Sequence, residues 1–179
     1  VLSEVGAYLR TRGYTSPILV ADIRTFQVAG EAVMASLVAS GYSESRLLLP
    51  DPAPGEIPCA DDETIAFCEA AVEGHDCLIS VGAGTVNDVV KMAAYKRNLP
   101  YVTVPTAASM NGYTSAIAAV LSQGVKRTLT TGQVEAVFAD VDVLAEAPMP
   151  MTLAGFGDLV SKPYSNACWY VASVVTGAP

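Results

Sequence analysis

The sequence contains a single histidine, His75, in 179 residues, and it is poor in positive charge. Ten Lys and Arg residues stand against 18 Asp and Glu residues, which gives a formal net charge of −8. This balance argues against a protein that binds nucleic acid, because such binding relies on clustered Lys and Arg. The composition does not argue against binding of a small phosphorylated ligand, since the N–H groups of a helix N-terminus can bind it. With one histidine, the chain cannot form by itself a metal site that has several histidine ligands.

Cysteines are few, and none of the four forms a Cys-x-x-Cys pair. The spacing therefore predicts no zinc site of that kind, and we expect free thiols and a cytoplasmic location. Charged residues make up only 16% of the chain and apolar residues 51%, a composition that excludes intrinsic disorder. The chain opens at Val1 without an initiator Met or an apolar signal segment, so we do not expect Val1 to be the natural N-terminus.

One long segment, 98–125, has no charged residue at all. A membrane-spanning helix needs about 20 mostly apolar residues. Pro100, Pro105 and Gly112 would interrupt such a helix, and repeated Ser and Thr lower its hydrophobicity. We therefore expect this segment to be buried beside a ligand, and we do not expect the protein to bind a membrane.

Short apolar runs alternate with segments of helical periodicity through most of the chain. Strands are predicted at 17–21, 46–49, 77–81, 101–104 and 136–140, and the main helices at 1–12, 25–40, 61–73 and 86–97. This alternation predicts an α/β fold with a Rossmann-like parallel sheet and right-handed crossovers. After Pro148 and Pro150 the pattern changes to a helix that begins near Met151. We therefore place a domain boundary there and divide the chain into 1–148 and 149–179.

A glycine-containing turn joins the third predicted strand to the helix that follows it. Gly82 and Gly84 allow a tight turn and a close approach of the backbone to a pyrophosphate. The helix after them offers unpaired N–H groups to an anion. Asn87 stands where the common G-x-G-x-x-G pattern ends in glycine. An ordinary tight turn is the alternative interpretation of this segment taken alone.

Two further segments carry candidate chemistry. Residues 106–115 form a polar loop of mostly small residues after the fourth predicted strand, so we expect them at the same carboxyl edge of the sheet as the glycine turn. A plain Ser/Thr-rich loop is the alternative there. In the segment 154–162, Asp158 follows two glycines at a helix start. Taken alone, this aspartate is read as either a metal ligand or an N-terminal cap.

In their order and spacing, these three segments together resemble the glycerol-1-phosphate dehydrogenases, especially their bacterial branch. That group belongs to the superfamily of iron-containing alcohol dehydrogenases, glycerol dehydrogenases and dehydroquinate synthases. The resemblance covers essentially the whole chain and is most specific between residues 76 and 162. It implies a dehydroquinate synthase-like architecture, with an NAD(P)-binding Rossmann-like domain over 1–148. Residues 149–179 would then be the truncated beginning of an all-helical, metal-binding C-terminal domain.

The resemblance implies an oxidoreductase that uses NAD or NADP and a divalent metal to interconvert dihydroxyacetone phosphate and sn-glycerol 1-phosphate. Asp158 would be a metal ligand, with zinc favoured and nickel or iron open. The family completes that site with two histidines, which we expect beyond Pro179. Asp158 and Asn111 would contact the small phosphorylated three-carbon substrate. The implied cofactor contacts are Gly82, Gly84, Thr85, Val86, Asn87, Asp88, Thr106, Ala107, Ala108, Ser109 and Ser115.

Asp22 ends the first predicted strand and is placed to meet the adenosine ribose, although it could instead cap the next helix. Asn111 departs from the family, which usually has Asp there, and Cys168 stands where the family often has Asp or Glu. Lys91 and Lys162 are candidates for phosphate contact, and we expect Lys91 to be a solvated helix residue.

Other functions stay open at this point. A glycerol dehydrogenase-like alcohol oxidoreductase is one, and a non-catalytic NAD(P)-binding module is another. The sequence does not decide between NAD and NADP, nor does it give the metal or the oligomeric state, and a homo-oligomer stays open. We expect His75 to be a surface or loop residue at the edge of the sheet opposite the ligand.

Overall fold

A parallel sheet stands at the centre of the fold. The computed structural model describes residues 1–177, in which the strands are β1 (Pro17–Asp22), β2 (Arg46–Leu49), β3 (Cys77–Gly82), β4 (Tyr101–Pro105), β5 (Ile117–Ser122), β6 (Val125–Thr130) and β7 (Ala136–Val137). Five of them form one sheet in the order β2-β1-β3-β4-β7, and every neighbouring pair is parallel. The predicted α/β fold class is therefore confirmed, and the carboxyl ends of these five strands lie at one edge.

Helices connect the strands and cover both faces of the sheet. The α-helices are α1 (Val5–Arg12), α2 (Ile23–Thr25), α3 (Glu31–Ala39), α4 (Asp62–Ala71), α5 (Gly84–Arg97), α6 (Val141–Ala145) and α7 (Met149–Thr176). Short 3-10 helices lie at Leu2–Glu4 and Gly112–Thr114, and a π-helical segment at Phe26–Gly30 joins α2 to α3. The described helices include none that is long and apolar enough to cross a membrane.

The sheet divides the core into two layers. Successive side chains of a strand point to opposite faces. Leu19 and Ile79 therefore pack on one face with apolar residues of α1 and α3. Ile18 and Leu78 pack on the other face with apolar residues of α4 and α5. Burial on both faces explains why these strands read as continuous apolar runs rather than as alternating ones.

The antiparallel hairpin of β5 and β6 was not predicted from the sequence. Its two-residue turn, Gln123-Gly124, has positive φ at both positions, 52° and 74°, as a type I′ turn requires. In β5, Ala118 and Val120 are buried between exposed neighbours. The alternation is short and β6 is almost wholly exposed, so the pattern is weak.

Several predicted boundaries differ from the structure by a few residues. The helix after β1 starts at Ile23 rather than at residue 25, because Asp22 caps it. The last strand of the sheet ends at Val137 rather than at residue 140. Helix α7 starts at Met149 rather than near residue 151, and none of its described residues is buried. The division of the chain at residue 148 stays a prediction.

Candidate active site

A cavity of about 690 Å³ opens at the carboxyl edge of the sheet. Its lining combines Asp22 at the end of β1, the turn 83–86 after β3, and Thr106 and Ser109 after β4. Pro148, directly before α7, contributes to one wall. Ligands of open α/β sheets bind at this edge, so the cavity is the candidate site.

The glycine turn leaves the N-terminus of α5 free to meet an anion. Helix α5 begins at Gly84, and no side chain caps it from the preceding position. Its first-turn N–H groups therefore have no side-chain acceptor there, and the helix dipole favours negative charge at this end. A Cβ on Gly82 would lie 2.6 Å from the Cβ of Val86, so glycine is needed for close strand–helix packing. A Cβ on Gly84 would meet only the Sδ of Met110 within 4 Å, at 3.6 Å.

Asp22 both caps α2 and lines the cavity. One carboxylate oxygen accepts hydrogen bonds from the backbone N–H groups of Arg24 at 2.8 Å and Thr25 at 3.0 Å. The Thr25 hydroxyl accepts from the N–H of Asp22 at 3.1 Å and completes a capping box. Arg24 also lines the cavity, where its guanidinium donates to both carboxylate oxygens of Asp51, at 3.0 and 2.6 Å. This bond lowers the pKa of the Asp51 carboxyl.

The loop after β4 is held to the glycine turn and to its own 3-10 helix. The N–H of Thr106 donates to the carbonyl of Gly82 at 3.2 Å. The buried Tyr113 donates its hydroxyl proton to the carbonyl of Ala107 at 2.7 Å. Burial raises the pKa of Tyr113 to about 12, so it stays a donor at neutral pH. The loop thus presents its hydroxyls to the cavity from a fixed backbone.

Several predicted cofactor contacts do not line the cavity. Asn87 is fully buried, and its amide oxygen accepts from the Thr103 hydroxyl at 3.2 Å. Asp88 accepts from the N–H of Ala119 in β5 at 3.1 Å. Burial raises the pKa of the Asp88 carboxyl, although that bond and Lys91 oppose the shift. Other predicted contacts absent from the lining are Gly82, Ala107, Ala108 and Ser115. Their role in binding the cofactor stays a prediction.

Lys91 is not the solvated helix residue expected from the sequence. Its side chain has no exposed surface. The ammonium donates to the carbonyl oxygens of Gly112 at 2.5 Å and Ile117 at 3.1 Å, and to the hydroxyl of Ser115 at 3.2 Å. The expectation was wrong because the segment leading into the hairpin covers this side of α5. Burial lowers the pKa of Lys91, and the carboxylate of Asp88 opposes that shift.

Asn111 and Asp158 lie in contact, and their role in substrate binding stays a prediction. The N–H of Asn111 donates to Asp158 at 3.0 Å, and Lys162 donates to its other carboxylate oxygen at 3.1 Å. The bond from Lys162, followed by that from Asn111, lowers the pKa of Asp158. Close contact of α7 with the loop depends on Gly155, because a Cβ there would overlap the carbonyl oxygen of Ala108.

His75 lies at the far edge of the sheet, as expected. Its Nδ1 is 3.0 Å from the carbonyl oxygen of Ser16, and its Nε2 is 3.4 Å from the hydroxyl of Ser45. Both partners directly precede strands. Over residues 1–177, no group of three or more His, Cys, Asp or Glu side chains is arranged to hold a metal.

Part of the cavity lining was not predicted. Arg24 follows Asp22 by two residues, and this proximity was the available signal. The other residues come from loops or from helical segments that carry no binding motif; they are Thr25, Gln27, Val28, Ile57, Pro58, Ala83, Val143, Glu146, Ala147, Pro148 and Met151.

Comparison with known proteins identifies the family of this chain. The chain belongs to the iron-containing alcohol dehydrogenase family, whose sequence model matches residues 1–148. It is 37% identical over 177 residues to the glycerol-1-phosphate dehydrogenase [NAD(P)+] of Bacillus velezensis, a match that covers 98% of this chain and 45% of that protein. It is 33% identical over 171 residues to the protein of the same name from Methanothrix thermoacetophila. That match covers 96% of this chain and 46% of that protein. The chain therefore spans less than half the length of these relatives.

Solved structures share the fold. The glycerol dehydrogenase of Schizosaccharomyces pombe has a TM-score of 0.74 and 23% identity, and the match covers 89% of this chain and 40% of that one. The NADH-dependent butanol dehydrogenase A of Thermotoga maritima has a TM-score of 0.77 and 16% identity, with 89% and 45% covered. At these identities the likeness concerns the fold alone.

Proposed function

We propose that this chain is the nucleotide-binding part of an NAD(P)-dependent, metal-assisted glycerol-1-phosphate dehydrogenase. The reaction is the interconversion of dihydroxyacetone phosphate and sn-glycerol 1-phosphate. One observation carries the cofactor part of this proposal. A single cavity is lined by the free N-terminus of α5, by the hydroxyl-bearing residues Thr106 and Ser109, and by the acidic Asp22. The choice of substrate rests on the relatives, which carry that enzyme's name.

The order of the strands supports a placement of the two halves of the cofactor on the two sides of the cavity. The pyrophosphate binds at the glycine turn after β3. Asp22 ends β1, the neighbour of β3 on one side, and accepts from the adenosine ribose. The loop after β4 lies on the other side of β3, so the nicotinamide half lies beside Thr106 and Ser109. The bound cofactor supplies the hydride that reduces the substrate carbonyl.

Asp158 would serve as one metal ligand, and Asn111 would orient the substrate beside it. These described residues alone do not make a metal site, because Asp158 belongs to no group of three ligating side chains within residues 1–177. Its carboxylate is instead bonded to Asn111 and Lys162. The remaining ligands would come from outside this sequence. The metal's identity, a homo-oligomer and a cytoplasmic location stay predictions.

The binding part of the proposal is tested by placing a negative charge at the anion site. Gly84→Asp puts a carboxylate at the first residue of α5, where there is room for it and where the helix dipole favours it. We therefore expect unchanged or higher thermal stability. Affinity for NADH, measured by calorimetric titration, should fall more than about tenfold, because the new charge repels the pyrophosphate.

Gly132→Asp is the matched control, since Gly132 is exposed and no atom lies within 4 Å of its Cβ position among the described residues. It adds the same charge elsewhere and should leave NADH affinity unchanged. Equal affinity in both variants would refute an anion site at the glycine turn.

With a divalent metal supplied, the full-length protein should oxidise NADH or NADPH with dihydroxyacetone phosphate. Turnover of dihydroxyacetone alone would point instead to a glycerol dehydrogenase.

A further inference from the structure

The ammonium of Lys91 is saturated by the segment that follows the cavity loop. A lysine ammonium has three N–H donors. Here they meet three acceptors, namely the carbonyl oxygens of Gly112 and Ile117 and the hydroxyl of Ser115. One turn earlier on α5, Asp88 accepts from the N–H of Ala119. The two charged side chains therefore fasten residues 112–119 to the helix whose N-terminus forms the glycine turn.

This attachment is in a position to control the shape of the cavity loop. Gly112 lies three residues after Ser109, which lines the cavity. On the near side, the loop is tied to β3 through the bond from Thr106 to Gly82. On the far side, Lys91 attaches the segment to α5, beside the bond from Ala119 to Asp88 and the bond from Asn111 to Asp158. Without Lys91, the carbonyls of Gly112 and Ile117 would lose their charged donor, and such bonds are stronger than neutral ones.

We propose that Lys91 is a positioning residue for the nicotinamide half of the cofactor. The inference rests on the proposed function, in which the loop after β4 meets that half and β1 and the glycine turn meet the rest. Lys91 does not line the cavity, so it acts through the backbone of the loop and not by touching the ligand. Its loss should weaken binding of the nicotinamide half and spare the ADP-ribose half.

Comparing two ligands separates this role from a purely structural one. ADP-ribose contains the adenosine, the pyrophosphate and the second ribose but no nicotinamide. Lys91→Met keeps an unbranched side chain that is one atom shorter, and it removes the donors. We expect it to raise the Kd for NADH on the order of tenfold and to change the Kd for ADP-ribose less than about twofold. Lys96→Met removes an exposed charge from the same helix and should change neither Kd.

Hydrogen exchange of the unaltered chain provides a second test that does not depend on the variant folding. NADH should slow exchange of the amides in 106–119 more than ADP-ribose does at equal saturation. Equal weakening of both ligands by Lys91→Met would assign Lys91 to the fold alone and overturn the inference. Unchanged Kd values for both ligands in Lys91→Met would also overturn the inference. Equal slowing of amide exchange in 106–119 by both ligands would overturn it as well. Failure of the unaltered chain to bind either ligand would refute the proposed function itself.

Discussion

Replacing Gly155 by alanine is expected to separate the N-terminal part of α7 from the loop after β4. A Cβ at this position would overlap the carbonyl oxygen of Ala108 and would lie 2.9 Å from its carbonyl carbon. Non-bonded heavy atoms rest at about 3.5 Å or more, so the helix has to move by roughly 1.5–2 Å. Asp158 lies one turn further along the same helix, and its bond to the N–H of Asn111, now 3.0 Å, would pass out of hydrogen-bonding range.

The size of the effect follows from two opposing terms. Alanine is favoured over glycine inside a helix by about 1 kcal/mol. Overpacking of a close contact costs about 1–3 kcal/mol. Gly157 provides the matched control, because it lies in the same helix and its Cβ would meet no described atom within 4 Å. Gly157→Ala therefore gains the helix propensity of alanine without the cost of overpacking. The free energy of docking of α7 should differ between the two variants by about 1–3 kcal/mol.

Hydrogen exchange of the Asn111 amide measures this difference in docking at the contact between the loop and α7. Helix α7 has no buried residue among those described, so its release should leave the unfolding of the sheet domain nearly unchanged. We expect the Asn111 amide to exchange on the order of tenfold faster in Gly155→Ala than in Gly157→Ala. Equal exchange in the two variants would show that the contact with Ala108 does not position α7, and would refute the reasoning.

Two further predictions concern charged groups. Asp51→Asn should raise affinity for NADPH severalfold relative to NADH in parallel titrations, because it frees the Arg24 guanidinium at the cavity rim for a 2′-phosphate; an unchanged ratio would contradict this. Burial alone would raise the pKa of Glu135, but hydrogen bonds led by that from Tyr14 lower it overall. Its stabilising contribution is therefore complete above the unfolded-state pKa of about 4.3 and is lost as pH falls through the lower folded-state pKa. Urea unfolding between about pH 5 and pH 3 should show a shallower loss of stability in Glu135→Gln than in the unaltered chain, and parallel curves would exclude this role.

Sequence patterns predicted the elements whose signals are local. The buried strands were found because both faces of the sheet are covered, which makes each strand an apolar run. Helix α5 was found because Gly82 and Gly84 interrupt the pattern between a strand and a helix, although it starts at Gly84 and not at residue 86 as predicted. The hairpin was missed because its exposed strand β6 has almost no buried residue to mark a face. The Gln123-Gly124 turn was the one local signal that could have revealed it.

The sequence by itself predicted the parallel sheet and the glycine turn, and it offered the cap by Asp22 as one of two alternatives. The strands were marked by their apolar runs, and the glycine turn by its local backbone preference. The cap rests on hydrogen bonds between residues two and three positions apart. Tertiary structure alone decided that Lys91 is buried and that Asp158 meets Asn111. Those contacts join residues 21 to 26 and 47 positions apart, respectively. They form only because the sheet brings α5, the hairpin and the start of α7 to the same edge, an arrangement that no local spacing encodes.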